Sequence, residues 1–600
     1  MPVIFQTLWQ FLREELAPQE GRLGMAWRTA AVCALVAMVF MVYGIPLAPI
    51  ACYLVLFVVK PNVTESLLMG IGLIILVGII IPILVWLAII SVDNVIVRML
   101  VLCIGSFLFM YLSVASKVGE VGSIVALVIG FIMTLVGIAP FGELLTRAIL
   151  YAALMAVAPM AIMLIFLAVL GPSPAKLAQR HLLRRWQTID AVLRGKQTSD
   201  ALLPPLREGN ADVDKMLLFA TLFFQLPKAR LAQLKQLAQS SYQLMAALVA
   251  LPDGADIPAA ARARWAAQSE AAVHALETQT LMVSAAVAAP EAALPAFLED
   301  VEHRIQSLPQ LPADAVTSSP LPKSGFLNDD VRTNRSYAEF GVKVTFCALI
   351  CYLTYTALEW QDIHTAMITC YVAALGTVGE TVHKLILRIS GCLVGAALGC
   401  ASILFLMPHM TNIGQLMALV FAGCLIAAWV AQGTPRISYA GVQIGLAFVL
   451  TVLQGFGPDV KISVALDRIY GILLGNFVLF VVFTQVWPVS AASCVMQVLR
   501  KHVNGLARFI KEPQAQLKMQ AALPELIPQL QALREQAALS QFESAVLHTP
   551  VNENACMQRS INELEAVYLQ TAFGELSLQM PEVQEQVHAL QRKVMAGGVA

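Results

Sequence analysis

Two long stretches of this chain, residues 25–170 and 335–487, are too apolar to fold as water-facing domains. Each divides into runs close to a bilayer-crossing helix, which needs about 20 apolar residues. In hydrocarbon the backbone must satisfy its own hydrogen bonds, so such runs fold as helices. Breakers fall between the runs: Gly44, Pro46, Pro61, Pro140, Gly171-Pro172, Pro408, Pro435 and Pro488. The pattern predicts spans at 25–43, 45–59, 66–90, 95–113, 119–139 and 145–170. A second set falls at 336–357, 362–378, 386–407, 413–432, 437–455 and 462–487. Spans 45–59 and 362–378 are short for a crossing. Charged residues make up 13% of the chain and mean hydropathy is +0.73, against roughly 25% charged in a soluble domain.

The remainder is ordinary in polarity. Residues 1–24 read as an amphipathic segment, with Phe5, Leu8, Trp9 and Leu12 on one side, lying along the membrane surface. No cleavable signal peptide is expected. Residues 171–334 read as a cytoplasmic helical domain, with helices at 173–196, 211–225, 227–251, 258–288 and 291–308 and a linker over 309–334. Residues 488–600 read as a second helical domain, with helices at 489–511, 523–546, 554–579 and 582–596. The expected fold is all-α and polytopic: transmembrane blocks at 25–170 and 335–487, and helical domains outside the bilayer.

Basic residues near span ends set orientation. Arg13 and Arg22 precede the first span, and Lys176, Arg180, Arg184 and Arg185 follow the sixth. Lys323, Arg332 and Arg335 precede the seventh, and Arg500 and Lys501 follow the twelfth. Six spans per block put all four groups, and both termini, on the cytoplasmic side of a bacterial inner membrane. The 39 basic and 39 acidic residues balance, which argues against nucleic acid as a partner. No GxxxxGK[ST], HExxH, GxSxG or EF-hand pattern occurs. The chain does not read as an enzyme, and no cofactor or metal is expected. Nine of its 11 cysteines lie in apolar runs, without a CxxC pair, as small buried hydrophobes do.

Two repeats are visible. Cys52-Tyr53 in the second span matches Cys370-Tyr371 in the eighth, a parallel repeat of six spans. Arg388-Ile-Ser-Gly391-Cys-Leu-Val-Gly395 matches Arg468-Ile-Tyr-Gly471-Ile-Leu-Leu-Gly475 three spans later, the mark of an inverted repeat. Glycines four apart let a neighbouring helix approach closely.

Ionisable groups in spans are costly, and so are candidates for function. Arg98, Arg147 and Arg468 fall at the outer ends of spans four, six and twelve, and Arg388 near the cytoplasmic end of span nine. They suggest a path for an anion. The alternative is interfacial pairing, with Glu143 one turn from Arg147 and Asp467 beside Arg468. Tyr439 and Gln443 share a face of span eleven, and Gln454 ends it. His383, with Glu380, is a candidate for proton coupling, as is Asp467. Arg28 either snorkels to the headgroups or lines the path.

FLREELAPQEGRLGMAWRTAAVCALV resembles the opening of the multidrug-resistance branch of the fusaric acid resistance family of bacterial inner-membrane proteins. The second block resembles that family in Trp360, in IHTAMITCYVAALGTVGETVHKLILRISGCLVGAALG, in YAGVQIGLAF from Tyr439 and in DRIYGILLGN from Asp467. The likeness runs along essentially the whole chain. The first block departs from it: Arg147 is followed by alanines and Tyr151 rather than by R-x-x-G-x-x-x-G. The resemblance implies export of aromatic carboxylic acids or other small toxic organics, with a periplasmic membrane-fusion protein and an outer-membrane channel as partners. Related plant proteins conduct organic anions as dimers of single six-span blocks, so homo-oligomers stay open for this chain. Three functions are weighed: gradient-driven exporter, passive organic-anion channel, and non-transporting envelope scaffold.

Overall fold

The computed structural model describes residues 10, 13–18, 21–116, 119–136, 142–222, 226–251, 258–280, 302, 305, 327–328, 330–453, 462–510, 515–543, 551–573 and 576–596. Its helices are α1 Arg22–Val42, α2 Ala48–Val58, α3 Val63–Ser91, α4 Val95–Ala115, α5 Glu120–Val136 and α6 Gly142–Leu170. There follow α7 Pro174–Leu193, α8 Ala211–Leu222, α9 Lys228–Ala250 and α10 Ala259–Glu277. The second half holds α11 Ser336–Ala357, α12 Thr365–Ala373, α13 Val378–Ala401, α14 Ile413–Ala431, α15 Ser438–Val452 and α16 Ile462–Gln485. It ends with α17 Ala491–Phe509, α18 Ala515–Leu539, α19 Val551–Phe573 and α20 Leu576–Ala596. No strand occurs among the described residues, only an isolated bridge between Ser116 and Leu327. Contacts divide the chain into a membrane unit, Met1–Gly171 with Ser324–Val489, and a second unit, Pro172–Lys323 with Ser490–Ala600.

Among the described residues, eight helices are long and apolar enough to cross a membrane. The chain is an all-α polytopic membrane protein. Two of the expected spans are shorter than a crossing: α2 has 11 residues and α12 has 9, about 16 and 14 Å at 1.5 Å per residue. Leu47, at φ 62°, sets the start of α2, and a 3₁₀ turn, Gln361–His364, leads into α12. α5 and α15, with 17 and 15 residues, are also short. These short helices pack across the two blocks, α2 on α15 and α5 on α12. The long α3, α4 and α6 leave most of their surface exposed, as lipid-facing helices do.

Adding ten to each label turns the first half into the second, and the contacts follow. α1 packs on α14 as α11 packs on α4; α2 packs on α6 as α12 packs on α16; α3 packs on α5 as α13 packs on α15. The local chemistry repeats too. The Ser66 hydroxyl bonds Lys60 N, Lys60 O and Asn62 O; the Thr381 hydroxyl bonds Leu375 N, Leu375 O and Thr377 O. Asn62 caps α3 where Thr377 caps α13. Cys33 contacts Cys52 and Cys351 contacts Cys370, both at a separation of 19 residues. The helices of the membrane unit thus repeat their packing and local chemistry between the two halves of the chain.

A cation on the first helix of each block meets the carbonyl end of the sixth. Arg28 Nε donates to Leu170 O at 2.7 Å, and Lys343 Nζ to Trp487 O at 3.1 Å. Helix C-termini carry partial negative charge, which these cations complement. The same contacts put the start and the end of each block at one face. The start of α1 also meets the end of α14 through Arg22 Nε and Trp429 O, and Gln432 beyond α14 meets Val59 beyond α2.

In the second unit the duplication persists. Buried residues of α7 (Ala175, Ala178, Leu182, Trp186, Ile189, Leu193) recur at constant spacing as Ala492, Val495, Leu499, Val503, Leu506 and Ile510. α7 packs on α8, α9 and α10 as α17 packs on α18, α19 and α20. The helix expected from 523 begins at Ala515, with Pro524 and Pro528 inside it. Most of the expected helix at 291–308, Gln454 and most of the N-terminal amphipathic segment lie outside the described residues.

Candidate functional site: a buried arginine between short helices

The inverted repeat seats the site. A Cβ on Gly391 would lie 2.6 Å from Ala440 O and 2.8 Å from Gln443 Cβ, and one on Gly395 would overlap Ile444 O. A Cβ on Gly475 would lie 2.5 Å from Ala366 O and 2.7 Å from Thr369 Cβ, and one on Gly471 would overlap Thr365 Oγ1. The two arms of the repeat therefore press α13 onto α15 and α16 onto α12. Gly395→Leu is expected to lower stability by at least about 3 kcal/mol, because a backbone carbonyl cannot rotate away. Gly78→Leu, with open space at its Cβ, should leave the melting temperature of the detergent-solubilised protein unchanged.

Between these helices lies Arg388, 2% exposed. Its Nη1 donates to Tyr439 Oη at 3.0 Å and its Nη2 to Thr369 Oγ1 at 3.1 Å. Both partners are neutral, and no carboxylate pairs with it among the described residues. Its Nε is buried without a hydrogen-bond partner. Cys392, one turn on, donates its thiol to Gln443 Oε1 at 3.8 Å, and the Gln443 Nε2 is likewise buried and unpartnered. The Tyr53 hydroxyl, from α2 of the first block, approaches Gln443 and lies within electrostatic range of Arg388 and Tyr439. Lys384 Nζ stands 5.0 Å from the Tyr439 ring centroid. Asn476, next to Gly475, is 4% exposed with neither side-chain atom hydrogen-bonded.

Burying a guanidinium without a counter-charge is expensive. An arginine has five N–H donors, and this one leaves its Nε–Nη edge incompletely used. That edge is the one that takes a carboxylate side-on with two parallel hydrogen bonds. Chemically, that edge can accept one carboxylate group.

Of the expected pathway residues, the structure gathers Arg388, Tyr439 and Gln443. Arg147 is exposed and paired with Glu143 at 2.6 Å. Arg147→Ala should change transport by less than about twofold, since exposed pairs contribute little. Arg98 is half-buried in the first turn of α4, its Nε without a partner. Arg468 and Asp467 are half-buried near the start of α16. Glu380 completes the capping box of α13, accepting from Thr377 N at 3.3 Å and Thr377 Oγ1 at 3.0 Å. His383 approaches the Arg436 backbone. Thr369, Tyr53 and Asn476 escaped sequence reasoning as site residues. The repeated Cys-Tyr pair was the available signal for Tyr53, and its neighbour in the second copy is Thr369.

Residues 347–482 match the model of the family described as "Fusaric acid resistance protein-like". The multidrug resistance protein MdtO of Escherichia coli strain K12 is 34% identical over 220 residues, 36% of this chain and 32% of its own length. MdtO of Shigella flexneri matches at the same identity and over the same shares. The match thus spans about a third of these curated relatives. No solved structure matches. The pressed helices and the buried arginine all fall within or beside the segment that matches the fusaric acid resistance protein-like family.

Proposed function

We propose that the chain is an inner-membrane efflux transporter for small organic anions, aromatic carboxylates among them, with the Arg388 guanidinium as the group that holds the cargo. The observation that carries this reading is a fully buried arginine bonded only to neutral hydroxyls, with Nε unpartnered. A bound carboxylate supplies the missing counter-charge, and the short helices around it give either half of the duplicated unit room to rock about the site. Tyr439 and Thr369 orient the guanidinium plane. Arg98 and Arg468, at the far ends of α4 and α16, extend the positive path. A proton gradient would act through Asp467, Glu380 or His383. The relatives are named for multidrug resistance, and in an export system of that kind a periplasmic membrane-fusion protein and an outer-membrane channel would carry the cargo onward. Both termini would then be cytoplasmic.

Purified protein in liposomes tests this directly. Salicylate is expected to accumulate against its gradient when a membrane potential or proton gradient is imposed. Absence of movement for every aromatic acid tried, in protein shown to be folded, removes the reading in favour of an envelope scaffold. Large single-channel currents in planar bilayers would convert the transporter into a passive channel using the same arginine.

A further inference from the structure

The duplication supplies two tyrosines of common descent, and the structure treats them differently. Tyr371, on α12, is fully buried; its hydroxyl bonds Ser106 Oγ at 2.6 Å, and its ring occupies the notch left by Gly130. It is a fixed strut between the blocks. Tyr53, on α2, occupies the matching position, yet stays partly exposed and has no such notch. Leu56 fills the notch at Gly445 instead, which seats α2 against α15 and leaves Tyr53 beside Gln443. Its ring keeps only a tilted contact with Phe57, centroids 6.2 Å apart.

The charge is equally one-sided. Aligning the caps Asn62 and Thr377 places Leu73 where Arg388 stands in the second block. Only one of the two matched sites can attract an anion, and of the duplicated tyrosines the one near it, Tyr53, comes from the other half of the chain. We propose that Tyr53 is the specificity-determining residue of the Arg388 site, its ring forming the wall against which the aromatic body of a held anion lies. The assignment rests on the anion-transport reading and makes the site incomplete without the first block. Aromatic rings gain stability from offset or edge contacts with one another; an aliphatic chain gains only its buried area there.

The test is a transport ratio, benzoate against hexanoate, measured in liposomes with the full-length protein. The native protein should favour benzoate. Tyr53→Leu should lower the benzoate-to-hexanoate ratio about tenfold, and Tyr53→Phe should preserve it. Tyr371→Leu should affect both acids alike, because it removes a strut. An unchanged ratio in Tyr53→Leu overturns the assignment while leaving anion transport standing. If Tyr53→Leu does not fold, comparison of Tyr53→Phe with Tyr53→Met reads the same ratio. Native protein that moves neither acid removes the transport reading and this assignment with it.

Discussion

Arg388→Ala should lower organic-anion transport roughly a hundredfold and leave the protein folded. Two hydrogen bonds between a guanidinium and a carboxylate contribute about 1.5–3 kcal/mol each, and every 1.4 kcal/mol is about a factor of ten. Loss of the pair therefore reaches about 3 kcal/mol at the low end. The fold should survive because the arginine is a burden to it: a buried cation hydrogen-bonded to the hydroxyls of Tyr439 and Thr369 costs desolvation that no carboxylate offsets among the described residues. Removing it should hold or raise the melting temperature, a combination that a purely structural arginine would not give. Arg388→Lys separates charge from geometry. It keeps the positive charge but loses the planar fork, so roughly a tenfold loss is expected, between alanine and native. Initial uptake rates in liposomes, read beside thermal melting in detergent, check all three proteins. Transport by Arg388→Ala within threefold of native would remove Arg388 from the cargo site.

The long apolar helices were legible in the sequence because hydropathy is a local property. Helices α1, α4, α11 and α14 fall within a few residues of the expected spans. What local hydropathy could not show was that α2 and α12 stop short of a crossing. Val59 and Ala374, which end them in extended backbone, are apolar like their neighbours, so no change in hydropathy marks these ends. The glycines were legible in kind, since Gly391, Gly395, Gly471 and Gly475 sit four apart on two matched helices. Their partners, α15 for one arm and α12 for the other, come only from tertiary packing. Arg388 was one of four equal candidates by sequence. Burial distinguishes it: Arg147 has an acid one turn away and an exposed side chain, whereas Arg388 is buried and has no such acid. The contribution of Tyr53 was hidden because it crosses between blocks far apart in the chain.

Glu565→Ala is expected to destabilise the second unit by about 3–5 kcal/mol, the range for leaving buried charge uncompensated. Its carboxylate, 4% exposed, bonds Arg207 at 2.7 Å and also bonds Arg534. Arg534 is anchored further by Asn562 Oδ1 at 2.8 Å. The three charges tie the segment before α8 to α18 and α19, joining the two copies of the duplicated helical bundle. Burial alone would raise the Glu565 carboxyl above its ordinary range, but the two guanidinium bonds outweigh it and hold the group below that range. Since the folded-state value is the lower one, the carboxylate stabilises the fold fully above the unfolded carboxyl's pKa. That contribution is lost as pH falls through the depressed folded value. Acid lability should therefore be weaker in Glu565→Gln than in the native protein, although Glu565→Gln starts less stable at pH 7. Arg207→Ala should cost less than Glu565→Ala, because Arg207 is about a quarter exposed and water takes over part of its solvation. Replacing all three by apolar residues of similar size should come close to neutral, since the desolvation cost leaves with the charges. Hydrogen exchange of the full-length protein in detergent, read at the amides of α18 and α19, measures each of these. Unchanged protection in Glu565→Ala, within about 1 kcal/mol by the precision of such comparisons, would mean that the bundle is joined by its apolar core and that the charge cluster is incidental.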